Sequence, residues 1–289
     1  PILFSLHANA LDQIPAHLRS FVSEVPHSTV LHALCTEDPQ FIAAAASPVG
    51  CINSSLLCEE LVAWMVKHYP DRLTVAEHAP VTDVVLLSDH VKIHTKDIAI
   101  TSQKVVLCTN GFEHFTIENL DGDAINPSFH RNVAGRIAYM TGYLDAGTQE
   151  AAAICYNTST DLETIPYYYL TRRPYEHREH GQKTLLCIGG PERDLPNDAT
   201  FDPSSEPPES IVEDIERIGR DTYRTPPAHD IHTFVWQGLM GHTPNRIRRI
   251  GAEPRNPRLL YNLGCNGVGI LGSVYGGKRI AELLLGIHL

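Results

Sequence analysis

The chain has 289 residues, 43% of them hydrophobic, enough for one large or two ordinary domains with a sizeable core, which excludes a disordered or fibrous protein. Its 23 Lys+Arg against 34 Asp+Glu leave a formal charge of −11, which argues against a nucleic-acid partner and for small molecules or proteins. No apolar stretch approaches the ~18–20 residues that cross a bilayer. Residues 1–10 also lack the basic and apolar regions of an export signal, so a cytoplasmic protein without membrane contact is expected.

Seven cysteines (Cys35, Cys51, Cys58, Cys108, Cys155, Cys187 and Cys265) form no C-x-x-C and sit mostly in apolar contexts, the pattern of buried free thiols in a reducing compartment. The pairs His177/His180 and His229/His232 have H-x-x-H spacing. Such a pair needs a helix face and a third ligand, and Pro174 and Pro226-Pro227 would break that helix, so no metal is expected.

In chain order, the pattern predicts an amphipathic helix over Leu11 to Val25 and a second from Asn53 to His68, capped by Asn53-Ser54-Ser55. Short β-rich runs follow at Leu73–Glu77, Val81–Leu87, Val91–His94 and Val105–Thr109. Longer strands, rich in tyrosine, are expected at Val133–Leu144 and Ile165–Thr171, then Lys183–Gly189, in a larger and mostly antiparallel sheet. Beyond an acidic, Pro-rich loop, Glu209–Tyr223 reads as a helix with Ile211, Ile215 and Ile218 on one stripe. A strand at Ile231–Gln237 and another at Leu259–Leu263 precede a glycine-dense turn, Gly264–Gly272, and a helix running to Leu285.

Within that turn Gly267 to Gly272 satisfies G-x-G-x-x-G between a strand and a helix. A dinucleotide fingerprint needs a further βαβ unit with a ribose-binding acid ~20 positions on, for which residues 273–289 leave no room. Glycines before a helix let backbone N–H groups and the positive helix end approach a ligand that carries or develops negative charge, such as the N1–C2=O edge of a reduced flavin. They equally allow close strand-to-helix packing with no ligand at all.

The run Trp236 to Arg246, then Ile250-Gly251, Asn256-Pro257 and Tyr261 to Gly269, resembles the C-terminal signature of FAD-dependent oxidoreductases of the D-amino-acid oxidase superfamily. The likeness is nearest to the amine-oxidising branch typified by γ-glutamylputrescine oxidase. Val105 to Gly111 resembles that family's second FAD-contacting strand, and Ser47 to Gly50, Asn53 to Val66 and Ala79 to Val84 follow its order. The resemblance implies an α/β (α+β) fold, an FAD-type domain interleaved with a mostly antiparallel substrate domain. It divides the chain into residues 1–50 and 112–238 for substrate and 51–111 and 239–289 for FAD. It also implies that the first strand, glycine turn and helix of the nucleotide domain precede Pro1 in the family pattern, so the FAD domain is expected to be N-terminally truncated. A self-associating form or a partner chain supplying that segment is then expected, or a flavin-free remnant serving as a binding or assembly module.

Carried over by resemblance, Val81 meets the adenine through its backbone, and Thr109, Asn110 and Gly111 flank the FAD. Gly264, Cys265, Asn266, Gly267, Val268, Gly269 and Ile270 wrap the pyrimidine side of the flavin. The flavin is expected to be non-covalent, since Gly238 stands where one subgroup attaches it. Met240 replaces the carboxylate-binding arginine of amino-acid oxidases, and Leu271 the oxygen-activating lysine of sarcosine oxidases. The expected reaction oxidises a C–N bond of an amine or amino acid by hydride transfer to flavin, with Tyr168, Arg172 and His242 as catalytic candidates and Tyr169 beside them.

Overall fold

The structure is a computed structural model and describes residues 2–6, 14–48, 50–125, 132–145, 152–157, 167–179, 181–196, 199–223 and 232–287. The chain forms two compact units. One comprises Pro1–Ile52, Ile137–Arg193 and Phe201–Gly238, and the other Asn53–Arg136, Asp194–Thr200 and Leu239–Leu289.

The first unit is built on one eight-stranded sheet. In chain order its strands are β1 (Ile2–Leu6), β2 (Ser23–Glu24), β3 (Ala43–Ser47), β9 (Ala134–Asp145), β10 (Ala152–Asn157), β11 (Tyr167–His177), β12 (Gly181–Asp194) and β13 (His232–His242). They lie side by side as β13-β9-β12-β11-β10-β1-β3-β2. The pairs β10–β11, β11–β12, β1–β3 and β2–β3 are antiparallel, and β1–β10 is parallel. Alternate side chains of a strand point to opposite faces. On one face Ile154, Tyr156, Leu170, Leu186 and Ile188 join the core with Ile211 and Ile215 of helix α3 (Glu209–Arg217), one turn apart on its inward stripe. Tyr156 is fully buried and satisfies its hydroxyl by donating to the carbonyl of Leu34, at the end of the short helix α1 (Val30–Ala33), 2.7 Å away.

The strands of the second unit are β4 (Val81–Leu86), β5 (Val91–Thr95), β6 (Ala99–Ser102), β7 (Val105–Leu107), β8 (Thr116–Asn119), β14 (Arg249–Glu253) and β15 (Asn256–Leu263). They form a three-stranded sheet, β14-β15-β7, and a four-stranded one, β6-β5-β4-β8. Strand β7 runs parallel to β15, in register Leu260 with Val106. Val84, Leu86, Val91, Leu107, Leu259 and Leu263 form this unit's core. Arg258 joins the sheets, donating from Nε to the Ser88 carbonyl at 2.9 Å and from Nη1 to that of Gln103 at 2.9 Å. Two long helices belong here, α2 (Ser54–His68) and α4 (Gly269–Leu284), the latter packed on β14 and β15.

Several expected elements differ. Residues 14–25 of the expected helix Leu11–Val25 fold instead as a 3-10 helix, Ala16–Phe21, and the edge strand β2. Pro15 and Pro26 bracket this stretch, and its strand residues pair with Ala45 and Ala46 of β3. Leu73–Glu77 is not a strand, because the Arg72 and Leu73 amides turn back onto the Tyr69 carbonyl at the end of α2. The helix expected to Tyr223 stops at Arg217 and continues as a π-helical turn, Ile218–Thr222. Four alanines favour helix locally, yet Ala43–Ser47 is a strand because β1 and β2 pair with it on both sides.

Candidate flavin site

Three sequence-distant segments of the second unit are tied together at the N-terminus of α4. Asn110 accepts at Oδ1 from the Cys265 amide at 2.8 Å. The Asn266 amide donates to the Gly241 carbonyl at 2.9 Å, and the Thr243 amide donates to Asn266 Oδ1 at 2.8 Å. At Gly241 an added Cβ would stand 2.3 Å from the Asn110 carbonyl oxygen, so only glycine lets these backbones approach. The turns use left-handed backbone at Asn110 (φ 61°), Gly264 (80°), Asn266 (51°) and Gly267 (79°), a conformation asparagine tolerates and branched residues resist.

This arrangement divides the loop's amides into two groups. Those of Cys265, Asn266 and Val268 are spent inside the fold, the last on the Cys265 carbonyl. The first-turn amides of α4, beginning at Gly269, precede any intrahelical acceptor, and Val268 offers no side-chain cap. Val268 and Leu271 are largely exposed there, at 70% and 75%. Beneath the loop Arg248 donates from Nε to Asn262 Oδ1 (2.6 Å), from Nη1 to the Gly264 carbonyl (3.2 Å) and from Nη2 to Ser273 Oγ (3.0 Å). Burial pulls its pKa down, while the nearby Cys265 and Cys108 thiols oppose that shift. Nothing in the sequence separates Arg248 from Arg246 and Arg249, because its role depends on partners 14 to 25 positions further along the chain. Open helix N-terminal amides with a guanidinium bonded to the same turn fit an anionic or electron-rich ligand edge.

The other expected cofactor residues lie nearby in the same unit or elsewhere in it. Thr109 donates its hydroxyl to Glu113, and Gly111 lines a cavity of about 510 Å³ with Glu113, His114, Asn132, Leu195 and Pro244. The His242 ring comes near the loop, its Cε1 being 3.9 Å from where a Gly267 Cβ would stand. Val81 opens β4 and pairs with Thr95 beside a bulge.

The two catalytic candidates in the first unit have structural work to do. Tyr168 and Arg172 share the parity of Leu170 and therefore the face of the sheet that α3 covers. Tyr168 is buried in that core, and Arg172 donates to the Tyr223 hydroxyl while its guanidinium lies 5.8 Å from the Tyr223 ring centre. Tyr167 and Tyr169 lie on the opposite face, their rings 6.0 Å apart, with the Tyr167 hydroxyl donating to Glu192 at 3.3 Å. Burial, then the neighbouring Glu192 charge, pushes the Tyr169 hydroxyl up to about 12. No cluster of three or more His, Cys, Asp or Glu that could hold a metal ion occurs among the described residues. His180 and His229 lie outside the described residues, and His177 ends a strand rather than sitting on a helix.

A family model for FAD-dependent oxidoreductases matches residues 7–283, and the chain belongs to that family. No curated protein matches it. Among solved structures it is similar to glycine oxidase from Bacillus cereus, with TM-score 0.71 and 16% identity, covering 100% of this chain and 74% of that one. It is also similar to L-proline dehydrogenase from P. horikoshii, with TM-score 0.70 and 14% identity over 98% and 71% of the two chains. L-alpha-glycerophosphate oxidase from Mycoplasma pneumoniae, solved with FAD bound, gives TM-score 0.68 and 10% identity over 98% and 72%. At these identities the likeness shows a shared fold. No described helix is long and apolar enough to cross a membrane.

Proposed function

We propose that this protein oxidises a C–N bond of an amine or amino acid, using FAD held without a covalent link. The observation that carries this reading is the knot of Asn110, Gly241 and Asn266, which presents the first-turn amides of α4 above Arg248. FAD, when bound, would accept the hydride from the carbon beside nitrogen. The protein's own part is to orient the amine and to favour the negative charge of the reduced ring through those amides and Arg248. His242, beside the glycine loop in the same unit, is the polar group assigned to orient substrate. Met240 in place of an arginine removes a bidentate carboxylate partner and favours an amine over a simple α-amino acid. The names of the glycine oxidase and L-proline dehydrogenase neighbours support C–N chemistry, whereas that of the glycerophosphate oxidase concerns an alcohol.

The test is anaerobic mixing of flavin-loaded protein with a panel of primary and secondary amines, amino acids and glycerol phosphate. Bleaching of the oxidised flavin band by amines is expected. Bleaching by glycerol phosphate alone would transfer the reading to C–O oxidation.

A further inference from the structure

The chain carries a net charge of −11, yet a cavity of about 320 Å³ in its second unit is lined by three basic side chains, Lys104, Arg255 and Arg258, and one acidic one, Asp121. Four connections meet there. Ser88 follows β4, Lys104 precedes β7, Asn119 and Asp121 stand at the end of β8, and Arg255 to Arg258 lead from β14 into β15. Strand β15 rises about 3.3 Å per residue, so its Arg258 end lies roughly 20 Å from Gly264, where the glycine loop begins. The cavity is therefore separate from the candidate flavin site.

Neutral carbonyls hold these cations in place without cancelling their charge. The half-buried Arg258 donates from Nε to the Ser88 carbonyl and from Nη1 to that of Gln103, leaving Nη2 with no acceptor among the described residues. Arg255 donates from Nη1 to the Ala124 carbonyl, and its Nε and Nη2 have no acceptor among the described residues. The half-buried Lys104 has none there for its ammonium. Asn256, 7% exposed, braces the wall by donating from Nδ2 to Asn119 Oδ1 at 2.9 Å. Of the nearby carboxylates, Asp121 accepts from the Ser88 amide at 2.8 Å, while Asp89 is 79% exposed and lies 2.6 Å from His90 Nδ1. Three cations against Asp121 leave two positive charges uncompensated. Like charges gathered in one place repel, and an anion of matching charge relieves that repulsion. A monocarboxylate carries one negative charge, whereas a phosphate monoester carries about two and offers three acceptor oxygens to such donors.

We infer that this cavity binds the phosphoryl group of a small molecule through Lys104, Arg255 and the open Nη2 of Arg258. The experiment is isothermal titration of the purified, desalted protein with inorganic pyrophosphate at low salt, with acetate and citrate in parallel. Pyrophosphate should bind with a Kd below about 1 mM and weaken as salt is added. Lys104→Gln/Arg255→Gln, which spares the bonded Arg258, should weaken pyrophosphate about tenfold or more while keeping the parent's thermal melt. Lys104→Arg keeps the charge and should bind within about threefold of the parent. Lys67→Gln/Lys96→Gln removes two positive charges from α2 and the β5–β6 turn and should change nothing, which separates a local site from the field of the whole chain. No pyrophosphate binding, equal binding by the Lys104→Gln/Arg255→Gln variant, or equal loss in the Lys67→Gln/Lys96→Gln control would overturn the inference. Acetate or citrate binding as tightly as pyrophosphate would overturn the phosphoryl assignment.

Discussion

At the scale of single residues, the loop before α4 depends on backbone conformation more than on side-chain chemistry. Gly267 holds φ 79° with nothing nearer to an added Cβ than His242 at 3.9 Å. Gly267→Val is therefore expected to fail through strain in the turn and occupation of the ligand's side of the loop, reducing bound flavin at least tenfold. Cys265→Ser should be tolerated, because it is the Cys265 amide, not the thiol, that holds Asn110. Flavin-to-protein absorbance ratios of the two purified holoproteins check this, and equal ratios would remove the loop from the site. His242 gives a second test at this scale. If its ring orients the amine, His242→Phe should lower kcat/KM about tenfold, the size of one hydrogen bond to substrate, with the flavin content unchanged. An unchanged kcat/KM in steady-state assays would remove His242 from the substrate's surroundings.

Among the elements, the β4–β5 hairpin carries a pH-sensitive contact. His94 Nδ1 lies 2.5 Å from Asp83 Oδ1, and this hydrogen bond is the main reason the Asp83 carboxyl is held below its ordinary value of 3.8. A depressed carboxylate contributes stability that is present above its unfolded value and lost as pH falls through the folded one. Thermal melts of the parent should therefore lose a small increment as pH falls below about 4, whereas Asp83→Asn should show a flatter acid limb. Because the Asp83 side chain is 33% exposed, the increment should shrink in high salt. An unchanged acid limb in the variant would show that the pair contributes nothing to folding. The antiparallel pair β14–β15 works differently, through burial: Tyr261 donates to Glu253 at 2.7 Å where both side chains are fully enclosed. That contact fixes β15, and with it the position of the glycine turn that follows.

For the whole molecule, the two units interleave along the chain, so that the unit holding the glycine loop is assembled from residues 53–136, 194–200 and 239–289. On the proposed reading the cofactor would draw its partners from these widely separated stretches, and Gly238, the position at which one subgroup of the family attaches its flavin, has no side chain to serve as a nucleophile. Acid precipitation of the flavin-loaded protein should leave the yellow colour in the supernatant; flavin that stays with the polypeptide, read by absorbance of the redissolved pellet, would show a covalent bond elsewhere.

The sequence by itself determined the elements whose periodicity is strong and whose ends are marked. Helix α2 starts where Asn53 caps the Leu56 amide, and the strand–glycine turn–helix from Leu259 onward is set by an apolar run, left-handed glycines and an Ile-Leu stripe. The family resemblance was likewise legible in Tyr261 to Gly269, because turn geometry restricts residue choice locally. Strand β3, made mostly of alanine, was not legible, since only pairing partners on both sides make those residues extended. Nor was the role of Arg248, which depends on Asn262, Gly264 and Ser273 being brought around it. The same holds for Tyr168 and Arg172. Their polarity suggested substrate contact, but which strand face a helix covers is decided only when Ile211 and Ile215 dock, and that docking buries Tyr168 and leaves Arg172 half-buried against Tyr223.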